Sequence, residues 1–358
     1  EYYFDRKTDS DFWDSWGNRG LIEGLSAADN VDNSFSAIYR FLQVMKGELP
    51  LAPGGSSECV NSWRGPAQVA HNPKYVHFFN YFDSALLEQV DWSHWGDLSH
   101  VYGVNESGFA NSTWDNIGVQ YGLEALKNGK VPPQDFLDIN ENVGGWKQSH
   151  QMRPAHFWRY SFPYTSIFKI SPWSEHNMMH VAGKNNPAPR SEGDVGAMQA
   201  AYHAGLVFMG DIQVPVLDIR HYLDRELDMH HSFASFSTRL RMLRAKGSAD
   251  NQVIWVNAES YDPTPKAFAV MDQWMKNIAA NPEKTAGKNK PDMAHDACFD
   301  GQGALIARGD AVWDGEWNSR APGTCMQVYP THKSSRNVAG EPLAGDVFKC
   351  HLQTVSDA

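Results

Sequence analysis

Two stretches decide the fold: Val214-Pro-Val-Leu-Asp-Ile219 and Gln252-Val-Ile-Trp-Val256. Both are short, rich in β-branched residues and bounded by Gly- or Asn-containing turns, so each reads as a strand. Between them Phe236–Ala245 reads as a helix stopped by Gly247. Before them Asp194–Leu206 places Val195, Met198, Ala201 and Leu206 on one side of a helix. After them Ala267–Ala280 does the same with Phe268, Met271, Trp274 and Ile278. Strand, loop, helix, strand, loop, helix implies parallel strands in an α/β, doubly wound sheet. The pattern predicts that 214–219 and 252–256 are adjacent and joined by a right-handed crossover through the intervening helix.

Working outward, the chain divides into three expected parts. Residues 1–115 form a helical and irregular aromatic-rich layer, a lid or an interface; Ile38, Phe41, Leu42 and Met45 give its clearest helical period. Residues 116–285 form the α/β core. Gly118–Asn128 reads as a short helix, a second helix starts near Asp135, and the Pro-rich 146–192 is an insertion. Residues 286–358 form a loop-rich tail packed on the core. Trp13, Trp16, Trp63, Trp92, Trp95, Trp114, Trp146 and Trp158 crowd the N-terminal half, as core or as stacking platforms.

The whole chain has 358 residues, 42% of them apolar and 20% charged, which suits a globular protein and rules out a disordered one. No apolar run approaches the roughly 20 residues that span a bilayer, so no membrane span is expected. With 31 basic and 42 acidic residues the net charge is −11, and no basic block offers nucleic acid a face. The four Cys form no CxxC pair. Cys298 and Cys325 bracket a stretch poor in apolar residues and are expected to be bonded; closing that loop is worth about 3 kcal/mol in a chain-entropy account. A disulfide points to a secreted or periplasmic protein. The opening Glu1-Tyr-Tyr-Phe-Asp-Arg-Lys7 is neither a basic leader nor an initiator sequence, so an upstream part is expected to have been removed.

Ligands of open α/β sheets bind outside the carboxyl ends of the strands. The first strand leads into Arg220-His-Tyr-Leu-Asp224-Arg-Glu-Leu-Asp228-Met-His230-His231, the second into Asn257-Ala-Glu-Ser-Tyr261-Asp262. Acids beside imidazoles can orient a general base. The same residues could cap the following helix, for which Asp228 is well placed, or hold a metal through Asp224, Asp228 and His230. His71, His77, His94, His100 and Met178-Met179-His180 are weaker metal candidates, and no HExxH is present. No cofactor is expected. Asn105-Glu-Ser and Asn111-Ser-Thr match the glycosylation triplet.

Pro215 to Asp224 is similar to the penultimate strand and acid turn of α/β-hydrolases, with His221 where those proteins usually carry Gly. Several further segments resemble the C-terminal half of a bacterial family of uncharacterised secreted α/β-hydrolase-like proteins, and distantly the tannase and feruloyl-esterase group. They are Trp114–Leu126, Phe136–Asn140 with Gly144-Gly145, the Asp224–His230 turn with Phe236 and Arg239-Leu-Arg241, Ala249–Gln252, Met271–Trp274, and Val338–Gly340 with Lys349-Cys350. The likeness runs from about residue 110 to the end. It implies an α/β-hydrolase-like sheet with an irregular aromatic-rich insertion and a loop-rich tail, and cleavage of a small-molecule or polymer carboxylic ester by acyl transfer.

In that reading Asp224 orients a His, foremost His230, with His231 and His332 as further candidates. No Gly-x-Ser-x-Gly is present. The nearest echoes are Ser26 in Gly24-Leu-Ser-Ala-Ala and Ser56 in Gly54-Gly-Ser-Ser, neither after an apolar strand. The nucleophile is therefore expected from an upstream segment or from a second polypeptide that also supplies central strands. The rivals are a non-catalytic subunit or degenerate hydrolase-fold binding module, and a metal-dependent hydrolase.

Overall fold

The computed structural model describes residues 94–108, 110–145, 147, 179, 186–224 and 231–353. The expected helix at 34–45 lies outside them. The chain divides into two compact units. One comprises Glu1–Leu206, Ser334–Ala339 and Val347–Ala358; the other comprises Val207–Lys333 and Gly340–Asp346.

In the first unit the described helices are α1 (His94–Tyr102), α2 (Leu123–Lys127), α3 (Pro133–Asn142) and α4 (Val195–His203). The helix expected at 118–128 is shorter because Gly118 and Gly122 both take left-handed φ, near 77° and 81°, and delay its start. Asn140 of α3 stitches the two helices together: its Oδ1 accepts from the Tyr121 amide and its Nδ2 donates to the Tyr121 carbonyl, both at 2.9 Å. A Cβ on Gly145 would lie 2.1 Å from the Ser191 nitrogen, so only glycine admits that approach. Asp194 caps α4 through Ala197 N–H, 2.7 Å from its Oδ1.

The second unit holds β1 (Val216–His221), α5 (Phe233–Lys246), β2 (Gln252–Asn257), α6 (Thr264–Ala280), β3 (Ala297–Phe299), β4 (Leu305–Arg308) and α7 (Thr324–Val328); a short helix, α8 (Ser335–Val338), follows in the first unit. The sheet runs β1-β2-β3-β4. β1 and β2 are parallel neighbours, Val216 beside Gln252 and His221 beside Asn257. β3 adds parallel to β2 and β4 antiparallel to β3. The expected parallel pair is present, with β1 beginning two residues later than expected. Pro215 has no N–H for a ladder, and pairing starts where Val216 N–H reaches the Asn251 carbonyl at 2.8 Å.

Side chains alternate across the sheet. Val253, Trp255, Ala297 and Phe299 bury one face against Ala267, Val270 and Trp274 of α6. Ile254, Val256 and Cys298 bury the other against Phe236 of α5 together with Trp313, Cys325, Met326 and Tyr329. Trp274 and Ile278 of the expected stripe do face this core, but Ala267 and Val270 are buried where Phe268 and Met271 were expected, and Phe268 is 73% exposed. Ala267, Val270 and Trp274 keep the helical period equally well, so period alone did not choose the face.

The stretch beyond 285 is more than a tail: β3 and β4 complete the sheet's described edge, and the chain then crosses the α5 face. Cys298 and Cys325 are bonded there, as expected from the segment they bracket. Arg239 of α5 forms a buried two-pronged pair with Asp296 (Nη1–Oδ2 2.5 Å, Nη2–Oδ1 2.9 Å), and Asp296 Oδ1 also accepts the Ile254 amide at 2.8 Å. That network joins helix, central strand and tail.

Candidate functional site

Asp224 lies three residues beyond β1 and is 1% exposed. A carboxylate this deep must be hydrogen-bonded, and three donors meet it. Ser232 N–H reaches Oδ2 at 2.8 Å, Ser232 O–H reaches Oδ1 at 3.1 Å, and the backbone N–H of His332 reaches Oδ1 at 3.0 Å. Asp224 therefore fastens the start of α5 and, from 108 residues away, the segment that carries His332.

Two tyrosines hold the same segment over the carboxyl ends of the strands. Tyr329 O–H donates to the carbonyl of Phe299, the last residue of β3, at 2.7 Å. Tyr222 O–H, just past β1, donates to the Pro330 carbonyl at 2.7 Å. Their rings pack with centroids 4.9 Å apart. Residues 329–332 thus run along the edge where open α/β sheets place ligands.

His332 is half-buried, and its imidazole pKa is pushed down to about 3, first by loss of solvent around the ring and then by the neighbouring charge of His231. At neutral pH the ring is uncharged, and with its pKa that low it is a far weaker proton acceptor than an ordinary imidazole. His231 is half-buried as well, with its ring centroid 6.1 Å from that of Phe233.

A groove of about 420 Å³ opens beside this segment. Phe233 and Phe236 of α5, Trp317, Met326 and Pro330 give it an apolar lining, and Thr331 and Lys333 border it. Lys333 pairs with Glu316, another lining residue.

The structure brings together Asp224, His231 and His332. His230 and Asp228 lie outside the described residues, as do Ser26, Ser56, His71, His77, Met178 and His180. The Asp224–His230 pair and the Asp224/Asp228/His230 metal set therefore rest on the sequence alone. Among the described residues, no cluster of three or more His, Cys, Asp or Glu side chains could hold a metal ion, and no helix is long and apolar enough to cross a membrane. His221 ends β1 with Nδ1 3.0 Å from Asn257 Nδ2. The same amide nitrogen lies nearer still to the Ala258 and Tyr261 carbonyls, at 2.8 and 2.6 Å, and those two bonds use both of its hydrogens.

Sequence reasoning missed Tyr222, Ser232, Tyr329 and the groove. No periodic signal marks them, since each acts through contacts distant in sequence. The available hint was that Asp224 falls in the turn just after an apolar strand.

Residues 22–358 match the model of the Tannase-like family of unknown function (DUF6351). No curated protein matches the chain, and no solved structure does.

Proposed function

The chain belongs to this tannase-like family, and from that premise we propose that it is a carboxylic ester hydrolase acting by acyl transfer on an α/β-hydrolase-like doubly wound sheet. His332 is the general base, in preference to His230. Asp224 is a positioning residue that fixes the His332 backbone against the start of α5. The attacking hydroxyl comes from outside the described residues, from an upstream segment or a second polypeptide. The observation that carries the reading is the 3.0 Å bond from His332 N–H to Asp224 Oδ1 beside an apolar groove. As the base, the imidazole accepts the proton of the attacking hydroxyl and returns it to the departing alcohol, a role that requires bound substrate to raise its proton affinity from the depressed value of the free protein. The disulfide between Cys298 and Cys325 supports a secreted or periplasmic setting, where such bonds persist.

The test is turnover of p-nitrophenyl acetate by the full polypeptide. His332→Ala should lower kcat by about 10³-fold or more, and Asp224→Asn, which weakens the tie to the His332 backbone and not a bond to the ring, should lower it by less, with the fold intact by circular dichroism. Full activity in His332→Ala would remove it as the base. Absence of turnover from the intact protein on a panel of esters would favour a non-catalytic binding module, and activity lost to chelator and restored by Zn²⁺ would favour a metal-dependent hydrolase.

A further inference from the structure

The sequence contains one Asn-Gly dipeptide, Asn128-Gly129. It closes α2: Asn128 caps the helix after Lys127, and Gly129 takes a left-handed φ of 67°. Both residues are exposed, and nothing lies within 4 Å of where a Gly129 Cβ would stand. The other described asparagines that precede a small residue are tied down. Asn111 donates to the Tyr102 carbonyl at 3.1 Å, and Asn257 donates to the Ala258 and Tyr261 carbonyls. Asn318 donates to Asp314 at 2.8 Å and accepts the Gly315 amide at 3.0 Å. Among the described residues no hydrogen bond holds the Asn128 side chain.

A backbone nitrogen that has lost its proton to water can attack the side-chain carbonyl carbon of the asparagine before it. The bond from that nitrogen to Cγ forms, and the Cγ–Nδ2 bond breaks with its electron pair on Nδ2. That nitrogen takes up a proton and leaves as ammonia. Water then opens the five-membered imide at either carbonyl, which gives aspartate or, with the main chain rerouted through Cγ, isoaspartate. Nothing is oxidised or reduced, and water is the only co-reactant. Glycine at the attacking position has no Cβ to obstruct ring closure. The folded turn opposes the step in two ways. Gly129 N–H donates to the Leu126 carbonyl at 3.0 Å. With ψ of Asn128 at 4°, the Gly129 nitrogen eclipses the Asn128 nitrogen and not its Cβ. The last turn of α2 must therefore open first. A helix of five residues opens at small cost, so the fold slows the reaction without stopping it.

We propose that Asn128 is a modification site, converted by water alone to isoaspartate and aspartate ahead of the other described asparagines. The site does not depend on the ester-hydrolase reading. Isoaspartate adds a methylene to the main chain between α2 and the buried Val131, and it puts a negative charge at the carboxyl end of a helix, where charge of that sign is unfavourable. Conversion should therefore loosen the turn in which Lys130 N–H reaches the Ala125 carbonyl at 2.9 Å. The test is incubation of the full chain at pH 8.5 and 37 °C, followed by peptide mapping with mass spectrometry and enzymatic methyl labelling of isoaspartate. The Asn128 peptide should convert at least tenfold faster than the peptides that contain Asn111 and Asn318, and Asn128→Gln should remove most of the methyl label. In urea the Asn128 rate should rise at least threefold and match that of the free peptide Leu-Lys-Asn-Gly-Lys. Conversion no faster than at Asn111 and Asn318, or a methyl label unchanged in Asn128→Gln, would overturn the proposal. Equal rates in buffer and in urea would overturn the restraint assigned to the turn.

Discussion

On one face of the sheet Val253, Trp255, Ala297 and Phe299 meet a single helix, α6, that follows β2 directly in sequence. On the other, Ile254, Val256 and Cys298 meet Phe236 of α5 and then Trp313, Cys325, Met326 and Tyr329, a strap of chain with one short helix and no long periodicity. The α6 face is closed by local packing. The strap face is closed by a disulfide, by tyrosine hydroxyls on backbone carbonyls and by Asp224. The face with the weaker periodic pattern also bears the groove and His332. A closure made of separate ties can keep a concavity open where a continuous helix would fill it.

The largest effect expected from this contrast is on the α6 face. Trp274 is fully buried there, and Trp274→Ala should cost about 3–5 kcal/mol in urea unfolding, the range for a large aromatic truncated in a core. A loss below about 1 kcal/mol would show that the helix is not what holds that face.

The strap face should respond next, and to a different change. Replacing Cys298 and Cys325 with Ala should cost about 3 kcal/mol, because it frees a loop of 27 residues in the unfolded chain. Amide exchange should then rise across residues 311–333 while residues 267–280 stay protected. Equal loosening of both would mean that the two faces are not separately closed.

A smaller effect follows from His332. The unfolded imidazole takes up its proton near pH 6.5, whereas the folded one stays neutral until about pH 3. Stability is therefore complete above pH 6.5 and declines as the pH falls from there toward 3. Between pH 6.5 and 4.5 the loss should be roughly 1–3 kcal/mol, and it should shrink in His332→Gln. An identical pH profile in that variant would assign the loss to other groups. The smallest effect is expected at Phe268, whose side chain is 73% exposed. Phe268→Ala should change stability by no more than about 0.5 kcal/mol, and a larger loss would place it against a partner surface.

These contrasts also explain what could be read from residues alone. β1, β2, α5 and α6 were legible because each carries its own signal over 6 to 17 residues: β-branched runs, helical spacing and the left-handed Gly247 that ends α5. β3 and β4 were not, because three- and four-residue strands in a Gly- and Asp-rich setting have no period to detect. Asp224 was legible as a carboxylate in the turn that follows an apolar strand. Its real partners, Ser232 and the backbone of His332, were not, since one is an ordinary hydroxyl and the other is fixed by a tie across 108 positions. The pairing of Cys298 with Cys325 could be anticipated from the Gly- and Asp-rich stretch they bracket, although Trp313 within that stretch is buried in the core as well.

That long tie sets an order of events during synthesis. Asp224 leaves the ribosome well before the residue it must fasten, and at about 5–20 residues per second the wait is on the order of 5–20 s for a separation of 108 residues. During that interval α5 can form and Ser232 can bond to Asp224 while His332 does not yet exist. A chain released before residue 332 would therefore carry Asp224 bonded to Ser232 alone, without the tie that fastens the later segment to the start of α5.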